Sequence, residues 1–239
     1  MISDLYTKSV KDYLSGYGKA LRKRNNLKRD LEEHELSIDC VGSPTFSDIR
    51  IQRDSKRSGV ENYAIKHNEL RDKYINACWD AIFSDADLFD AIQELSLIDS
   101  NIAFLFDTKF IRMIPPKEIK QMDGFRHSQY FRYLKDGYKL ITPILIAQGR
   151  IDYIDVHPEN IRDLRELHKL NEDVFKYAER KYQQESKRMN YPIPDDIDKS
   201  KAIASRQNDI AQAQLMLDVA TIRKAESEQL LMQMCEKDS

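Results

Sequence analysis

The stretch FIRMIPPKEIKQMDGFRHSQYFRYLKDGYKLI, from residue 110 to residue 141, predicts two short helices joined by a tight turn. Proline is tolerated in the first turn of a helix, so the first helix is expected at about residues 116–123. Gly124 supplies the turn, where the backbone needs a positive φ or a close approach. Ser128 is expected to cap the second helix, which then runs to about residue 141.

The second helix has two chemically different sides. Apolar and aromatic residues recur at helical spacing and predict its buried stripe: Tyr130, Tyr133, Leu134, Tyr138 and Ile141. Hydrogen-bond donors and positive charge remain outside that stripe: Arg126, His127, Gln129, Arg132 and Lys135. This pattern is typical of a helix-turn-helix whose second helix enters the major groove. An ordinary helical corner is the alternative, because Lys120 stands where a small residue usually lets the two helices approach.

The composition favours an all-α fold. Of 239 residues, 33% are charged and 41% are apolar, with only 7 Gly and 7 Pro. No run of about 18 apolar residues exists, so no membrane span is expected. The first residues lack an apolar signal core, and Cys40, Cys78 and Cys235 lie too far apart for a disulfide framework. A cytoplasmic location is therefore expected.

Charge is unevenly distributed along the chain, although the formal net charge is only −2. Residues 8–29 hold eight Lys/Arg against one acid, residues 80–100 hold six acids and no base, and residues 109–139 hold eight bases against three acids. The predicted helix-turn-helix is therefore a basic patch in a nearly neutral chain. A local patch is enough to attract phosphates, because screening acts over about 8 Å at physiological salt.

The pattern of helices and breaks predicts three parts. Residues 1–83 are expected to form an N-terminal helical hairpin, in which helices 3–38 and 60–83 flank a basic loop at 39–59 and Trp79 lies in the core. Residues 84–142 are expected to form the helix-turn-helix unit, and Ser84 to cap its first helix. Residues 143–239 form a C-terminal extension.

The extension begins with residues 144–156, whose β-branched character indicates a short strand or an irregular segment. Long helices are expected at about 158–189 and 197–236, with a proline-containing linker between them. Apolar residues on the last helix form a broad row: Ala211, Leu215, Val219 and Ile222. This row favours docking, or a homo-oligomer formed through residues 197–236.

Two further basic segments are candidates for contacts with the DNA backbone. The first is on the N-terminal helix, where Lys23, Arg24 and Lys28 either contact phosphates or belong to a solvated helix face. The second is the loop, whose cations either line a disordered connector or touch DNA: Arg50, Arg53, Lys56 and Arg57.

Signatures of catalysis are absent from the sequence. It contains no GxGxxG, Walker, GxSxG or HExxH motif. His157 and His168 lack partners at zinc-like spacing, and the acids Asp85, Asp87 and Asp90 are explained as helix-start residues. No catalytic residue, metal site or cofactor is therefore expected.

Three segments carry a resemblance to a known family: DYLSGYGKALRKRNNLKRDLEE (12–33), SPTFSDIRIQRDSKRSGVENYAIKHNEL (43–70) and EIKQMDGFRHSQYFRYLKDGYKLI (118–141). Over about residues 8–141 the chain resembles phage late-gene transcriptional regulators of the ArpU and RinA type. The C-terminal part of that family is similar to the region of sigma factors that reads the −35 promoter element. Members generally stop soon after the helix-turn-helix, whereas this chain adds nearly a hundred residues.

The resemblance implies a sequence-specific regulator that binds double-stranded promoter DNA in a bacterial cytoplasm and contacts RNA polymerase. It assigns base-edge or backbone contacts to Arg126, His127, Gln129 and Arg132, and contacts along the phosphates to Lys135 and Lys139. Arginine can pair with guanine and glutamine with adenine in the major groove. Two alternatives stay open: a small-terminase-like DNA-packaging subunit, and a helical protein-binding adaptor without DNA contact.

Overall fold

The computed structural model describes residues 2–39, 59–154, 158, 160–194 and 198–237. These residues form helices and no strand, which confirms the predicted all-α fold. The helices are α1 (Ile2–Leu14), α2 (Gly16–Asp39), α3 (Gly59–Ser96), α4 (Ser100–Phe106), α5 (Pro116–Ile119), α6 (His127–Ala147), α7 (Ile161–Arg188) and α8 (Lys199–Lys237). A π-helical turn, Asp107–Ile111, follows α4 directly.

The chain divides into two compact units. The smaller unit is Ser15–Phe89, and the larger unit combines Met1–Leu14 with Asp90–Ser239. The predicted domain boundaries at residues 83 and 142 fall inside α3 and α6, and the division into three domains stays a prediction.

The smaller unit contains the predicted hairpin of two helices. His34, late in α2, stacks on Tyr63, early in α3, with 4.2 Å between ring centroids. Lys23, early in α2, pairs with Asp80, late in α3, at 3.1 Å. The two helices are therefore antiparallel.

Trp79 is exposed, so its predicted place in the core is wrong. Its side chain is 54% accessible and stacks on Phe83, which is also exposed. Ala77 and Ala81 define the buried side of α3 here. Each is two residues from Trp79, which is about 200° around the helix, so Trp79 points to the opposite side.

Two predicted helix boundaries also need correction. The predicted helix 3–38 is interrupted at Ser15 and becomes α1 and α2. Ser84 caps nothing, because α3 continues through it to Ser96. The predicted loop at 39–59 lies almost wholly outside the described residues, and so do its four cations Arg50, Arg53, Lys56 and Arg57.

Helix α6 lies at the centre of the larger unit and contacts α1, α4, α7 and α8. Its last residues, 141–147, are all buried. The prediction of a short strand or an irregular segment at 144–156 is therefore wrong for residues 144–147, since α6 continues through Pro143 to Ala147. Residues 148–154 are irregular, as the second alternative has it. Burial on every side of a helix removes the amphipathic period that would have distinguished it from a strand.

Helix α6 ends at Ala147, two residues before Gly149. Gly149 has φ of 66°, and the amide of Arg150 donates to the carbonyl of Leu145 at 2.8 Å. The amide of Gly149 donates to the carbonyl of Ile146 at 3.0 Å. These two bonds form a Schellman motif, which requires a residue with positive φ after the helix.

Helix α4 crosses α6 at Gly137, in close approach. Asp99 caps α4 by accepting hydrogen bonds from the amides of Asn101 (2.9 Å) and Ile102 (3.0 Å). A Cβ atom at Gly137 would lie only 2.6 Å from Phe106 Cζ and 2.7 Å from Ile102 Cγ2. Only glycine fits at this crossing without a shift of α4.

Helices α7 and α8 form a long antiparallel pair. His168 Nδ1 lies 3.1 Å from Ser227 Oγ, and Arg188 Nη1 lies 3.4 Å from Asp209 at the other end. Ala213, Ala220 and Ser227 are buried and stand seven residues apart on α8. These small residues form one stripe, which lets α8 approach α7 closely.

Candidate functional site

The predicted pair of helices joined at Gly124 is present, with a shorter first helix. Helix α5 has four residues rather than the predicted eight, and residues 120–126 connect it to α6. Gly124 has φ of +87°, as predicted. Arg126 occupies the N-cap position of α6 and its side chain makes no capping bond, so the prediction of Ser128 as the cap is wrong.

Phe125 fixes the start of α6 against the rest of the unit. Its side chain is buried, stacks on Phe104 at 5.7 Å and meets the edge of Tyr133 at 6.0 Å between centroids. Along α6 the predicted inward stripe is confirmed: Tyr130 and Ile141 are buried, and Tyr133, Leu134 and Tyr138 are half-buried. The opposite side of α6 is therefore the one available to a ligand.

Three predicted DNA-contact residues share that outer side. Arg132, Lys135 and Lys139 are exposed, and their spacing of three and four residues keeps them within about 60° of one another. We call these three residues the basic ridge. Within the described part of the chain none of them forms an ion pair. The ridge therefore presents three positive charges without ion-pair partners along one helix face.

The other predicted contact residues lie beside the basic ridge. Arg126 and His127 are exposed at the start of α6, and His127 packs edge-on against Phe131 with centroids 4.9 Å apart. Gln129 is half-buried on the other flank, about 60° from Arg132. Of the six predicted residues, Gln129 is the least accessible.

Three further lysines lie over the aromatic side of α6, and sequence reasoning missed them as a group. Lys11 lies 5.4 Å from the ring of Tyr138, and Lys109 lies 5.8 Å from that of Tyr130. Lys120 lies 5.1 Å from the ring of Tyr130 and 4.4 Å from that of Phe131. We call these three residues the lysine cluster.

Contacts with the rings of Tyr130 and Phe131 explain how Lys120 is accommodated before the turn. Its side chain runs over two rings, and cation–π attraction takes the place of the close packing that a small residue would give. Burial, and the nearby charge of Lys11, lower the pKa of Lys109. Positive charge is therefore concentrated around the first half of α6 from three separate segments of the chain.

The predicted DNA-backbone residues of α2 are Lys23, Arg24 and Lys28, and they differ in the side chains that each contacts within the smaller unit. Lys28 pairs with Glu32 at 3.6 Å, and Arg29 pairs with Glu33 at 3.7 Å. Arg24 bonds to the side chain of Asn25 at 3.0 Å. Lys28 is therefore neutralised within its own helix, and Arg24 is hydrogen-bonded to its neighbour.

Lys23 instead lines an open groove of about 640 Å³ between α2 and α3. Four cations line it together with amides and one acid: Lys19, Arg22, Lys23, Lys73, Asn26, Asn76 and Asp30. Lys23 is paired with Asp80, whereas Lys19, Arg22 and Lys73 form no ion pair with described residues. We call this feature the basic groove; it is a second positive surface within the described residues.

Neither a candidate metal site nor a candidate membrane span occurs in the described ranges. No group of three or more His, Cys, Asp or Glu side chains is placed to hold a metal ion there. No helix in those ranges combines the length and the apolar character needed to cross a bilayer.

Comparisons of the chain with protein-family models, with curated proteins and with solved structures give no match. The resemblance to phage late-gene regulators therefore stays a prediction.

Proposed function

We propose that this chain binds double-stranded DNA through the basic ridge and the start of α6. The observation that carries the proposal is the alignment of Arg132, Lys135 and Lys139 without ion-pair partners on one exposed helix face. Phosphate contacts of this kind supply most of the affinity of DNA-binding proteins and its dependence on salt. Arg126 and Gln129 are the side chains best suited to base edges, because both can make bidentate contacts.

The biological role we propose is transcriptional regulation of the phage or prophage type, in the cytoplasm of a bacterial cell. RNA polymerase would be contacted by surfaces other than the basic ridge. No catalytic step, metal or cofactor is part of this proposal. The resemblance of residues 8–141 to late-gene regulators supports the role, and the positive charge around α6 supports the ligand.

The test is fluorescence anisotropy with labelled promoter and random duplexes at two salt concentrations. The triple variant Arg132→Ala, Lys135→Ala, Lys139→Ala should weaken binding to both duplexes. Each lost phosphate contact should lower the slope of log K against log [salt] by about 0.9. The matched control is Lys28→Ala with Arg29→Ala, which removes cations already paired with Glu32 and Glu33.

Equal affinity and equal salt slope for the triple variant and the wild type would overturn the proposal. A single Arg132→Ala change separates the two kinds of contact. Loss of affinity for the promoter alone would indicate a base contact, and a uniform loss would indicate a phosphate contact.

A protein-binding adaptor is the second candidate, favoured by the apolar side of α8. Ala211 and the large apolar residues Leu215, Val219 and Ile222 are exposed there. A stable protein complex without any DNA binding would select this candidate. A ring of many subunits in solution would instead favour the DNA-packaging alternative.

A further inference from the structure

Phe131 is an exposed aromatic residue on α6, beside the basic ridge, and it is 50% accessible. Two neighbouring rings meet it at steep angles: His127 with centroids 4.9 Å apart, and Tyr130 with centroids 5.2 Å apart. The ammonium group of Lys120 lies 4.4 Å from the centroid of the Phe131 ring. A half-exposed ring, held by its neighbours, therefore stands against a positive charge.

The surroundings of Phe131 distinguish it from the other exposed aromatic residues of the described chain, which are Trp79, Phe83, Phe89, Phe104 and Tyr191. Trp79 and Phe83 stack on each other, and Phe104 stacks on the buried Phe125. Of the exposed rings in the described ranges, that of Phe131 alone has a lysine or arginine head group at cation–π distance.

The helix positions next to Phe131 carry no negative charge. Residues three and four positions apart are neighbours on a helix surface. For Phe131 these neighbours are His127, Ser128, Leu134 and Lys135, none of which is acidic. Phe89 on α3 has the opposite surroundings, because Asp85 stands four residues before it. Charge complementarity therefore favours an anionic ligand at Phe131.

An exposed ring bordered by cations matches the two parts of a nucleotide. The base can stack on the ring while the phosphate contacts the cation, as in proteins that bind single strands. Inside a duplex the faces of each base are covered by its neighbours, so a base must leave the stack before it can lie on Phe131. An acidic peptide supplies negative charge without a planar group beside each charge, so it fits this surface less well.

We propose that Phe131 and Lys120 bind single-stranded DNA, with an unpaired base stacked on the ring of Phe131 and a neighbouring phosphate at Lys120. Lys135 lies four residues further along the same side of α6 and continues the phosphate contacts toward Lys139. This site adjoins the basic ridge and shares Lys135 with it. The inference rests on the proposed function, since it adds unpaired DNA to the duplex that the ridge binds.

The test is fluorescence anisotropy with two labelled single strands of about 16 nucleotides, one of thymidines and one without bases. Both carry the same phosphates, but only the thymidine strand can stack. Phe131→Ala should weaken binding of the thymidine strand about 5- to 150-fold, which is the effect of losing one stacked base. It should leave the affinity for the abasic strand and the salt dependence of both unchanged.

Two further variants separate stacking from charge. Lys120→Gln should lower the slope of log K against log [salt] for the thymidine strand by about 0.7 per lost phosphate contact. Phe131→Trp should keep the affinity, and its added tryptophan should be quenched by the thymidine strand and not by the abasic strand. The wild type, which has only Trp79, is the reference for that signal.

The matched control is Phe89→Ala, which removes a ring that is 48% exposed but has an acid beside it. It should leave the affinity for both strands unchanged. Phe131 and Phe89 are exposed, so circular dichroism should show unaltered helix content in both alanine variants.

Equal affinity of Phe131→Ala and the wild type for the thymidine strand would overturn the proposal. An equal loss of affinity for the thymidine and abasic strands would also overturn it, because the ring would then act on something other than a base. A chain that binds duplex DNA but not the thymidine strand refutes this proposal and leaves the basic ridge standing. A chain that binds the thymidine strand through Phe131 but not the duplex refutes the basic ridge alone.

Discussion

The crossing of α4 over α6 at Gly137 is the packing contact on which the position of the basic ridge depends, and Gly137→Ala tests it. The added Cβ would overlap the buried ring of Phe106, including Cζ at 2.6 Å, and Ile102 Cγ2 at 2.7 Å. Phe106 cannot easily withdraw, because its ring is fully buried and lies between Phe110 (5.3 Å) and Tyr138 (5.6 Å).

Two opposing terms set the size of the effect. Alanine is favoured over glycine inside a helix by about 1 kcal/mol. Overpacking of a well-packed core costs about 1–3 kcal/mol. The overlap is severe, so the cost is expected at the upper end of this range, about 3 kcal/mol. The expected net loss of unfolding free energy is then about 2 kcal/mol, which corresponds to a fall in Tm of about 4–8 °C for a chain of this size.

Thermal and urea unfolding followed by circular dichroism measure this loss. Gly16→Ala is the matched control, because it also adds a methyl group to a helical glycine but has no atom within 4 Å of the new Cβ. The control should be unchanged or slightly stabilised, by about 0.5 kcal/mol. Phe106→Leu in the Gly137→Ala background should recover part of the loss by making room for the methyl group. If Gly137→Ala is as stable as the wild type, α4 does not cross α6 at this distance.

Two further predictions concern the basic groove and two half-buried tyrosines. The double variant Arg22→Gln, Lys73→Gln should weaken DNA binding and lower the slope of log K against log [salt] by about 0.9 per lost phosphate contact. The control variant Lys28→Gln, Arg29→Gln should leave both the affinity and the slope unchanged. If neither variant changes the slope, the basic groove does not contact DNA. Burial raises the pKa values of Tyr138 and Tyr153 to about 12, from an ordinary value of 10. Because the folded state holds these protons more tightly, their contribution to stability is complete below pH 10 and is lost as the pH rises to about 12. The unfolding midpoint measured across this range should fall, and Tyr138→Phe with Tyr153→Phe should flatten the fall.

Local chemistry made the turn before α6 predictable. Three sequence signals indicate this turn: a glycine with positive φ, prolines in a first turn, and an aromatic stripe at helical spacing. Each signal acts within a few residues of sequence. The structure has each of them at the predicted place: Gly124, Pro116, Tyr130 and Ile141. Only the length of α5 and the capping residue differ.

Contacts between distant segments could not be predicted in the same way. Lys11 and Lys109 reach the rings of α6 from α1 and from the π-helical turn, and neither helical periodicity nor charge counts place those segments beside α6. The predicted end of the second helix at about residue 141 is wrong for a related reason, since α6 continues through Pro143 to Ala147. A proline indicates a helix end only where the helix has no other support, and here residues on both sides of it are buried.

The difference between Lys28 and the basic ridge could not be predicted from spacing alone, because Arg132 also has an acid, Asp136, four residues later. Lys28 and Arg29 each have a glutamate four residues later, and these pairs form in the structure. Lys135 follows Arg132 by three residues and precedes Lys139 by four, so the ridge places like charges at helical contact distance. Asp136 follows Arg132 by four residues and precedes Lys139 by three, but it forms no ion pair in the described part of the chain. Like charges at this spacing destabilise a helix by a few tenths of a kcal/mol per pair. The ridge therefore opposes the stability of α6, and an anionic ligand such as the DNA backbone would relieve that repulsion on binding.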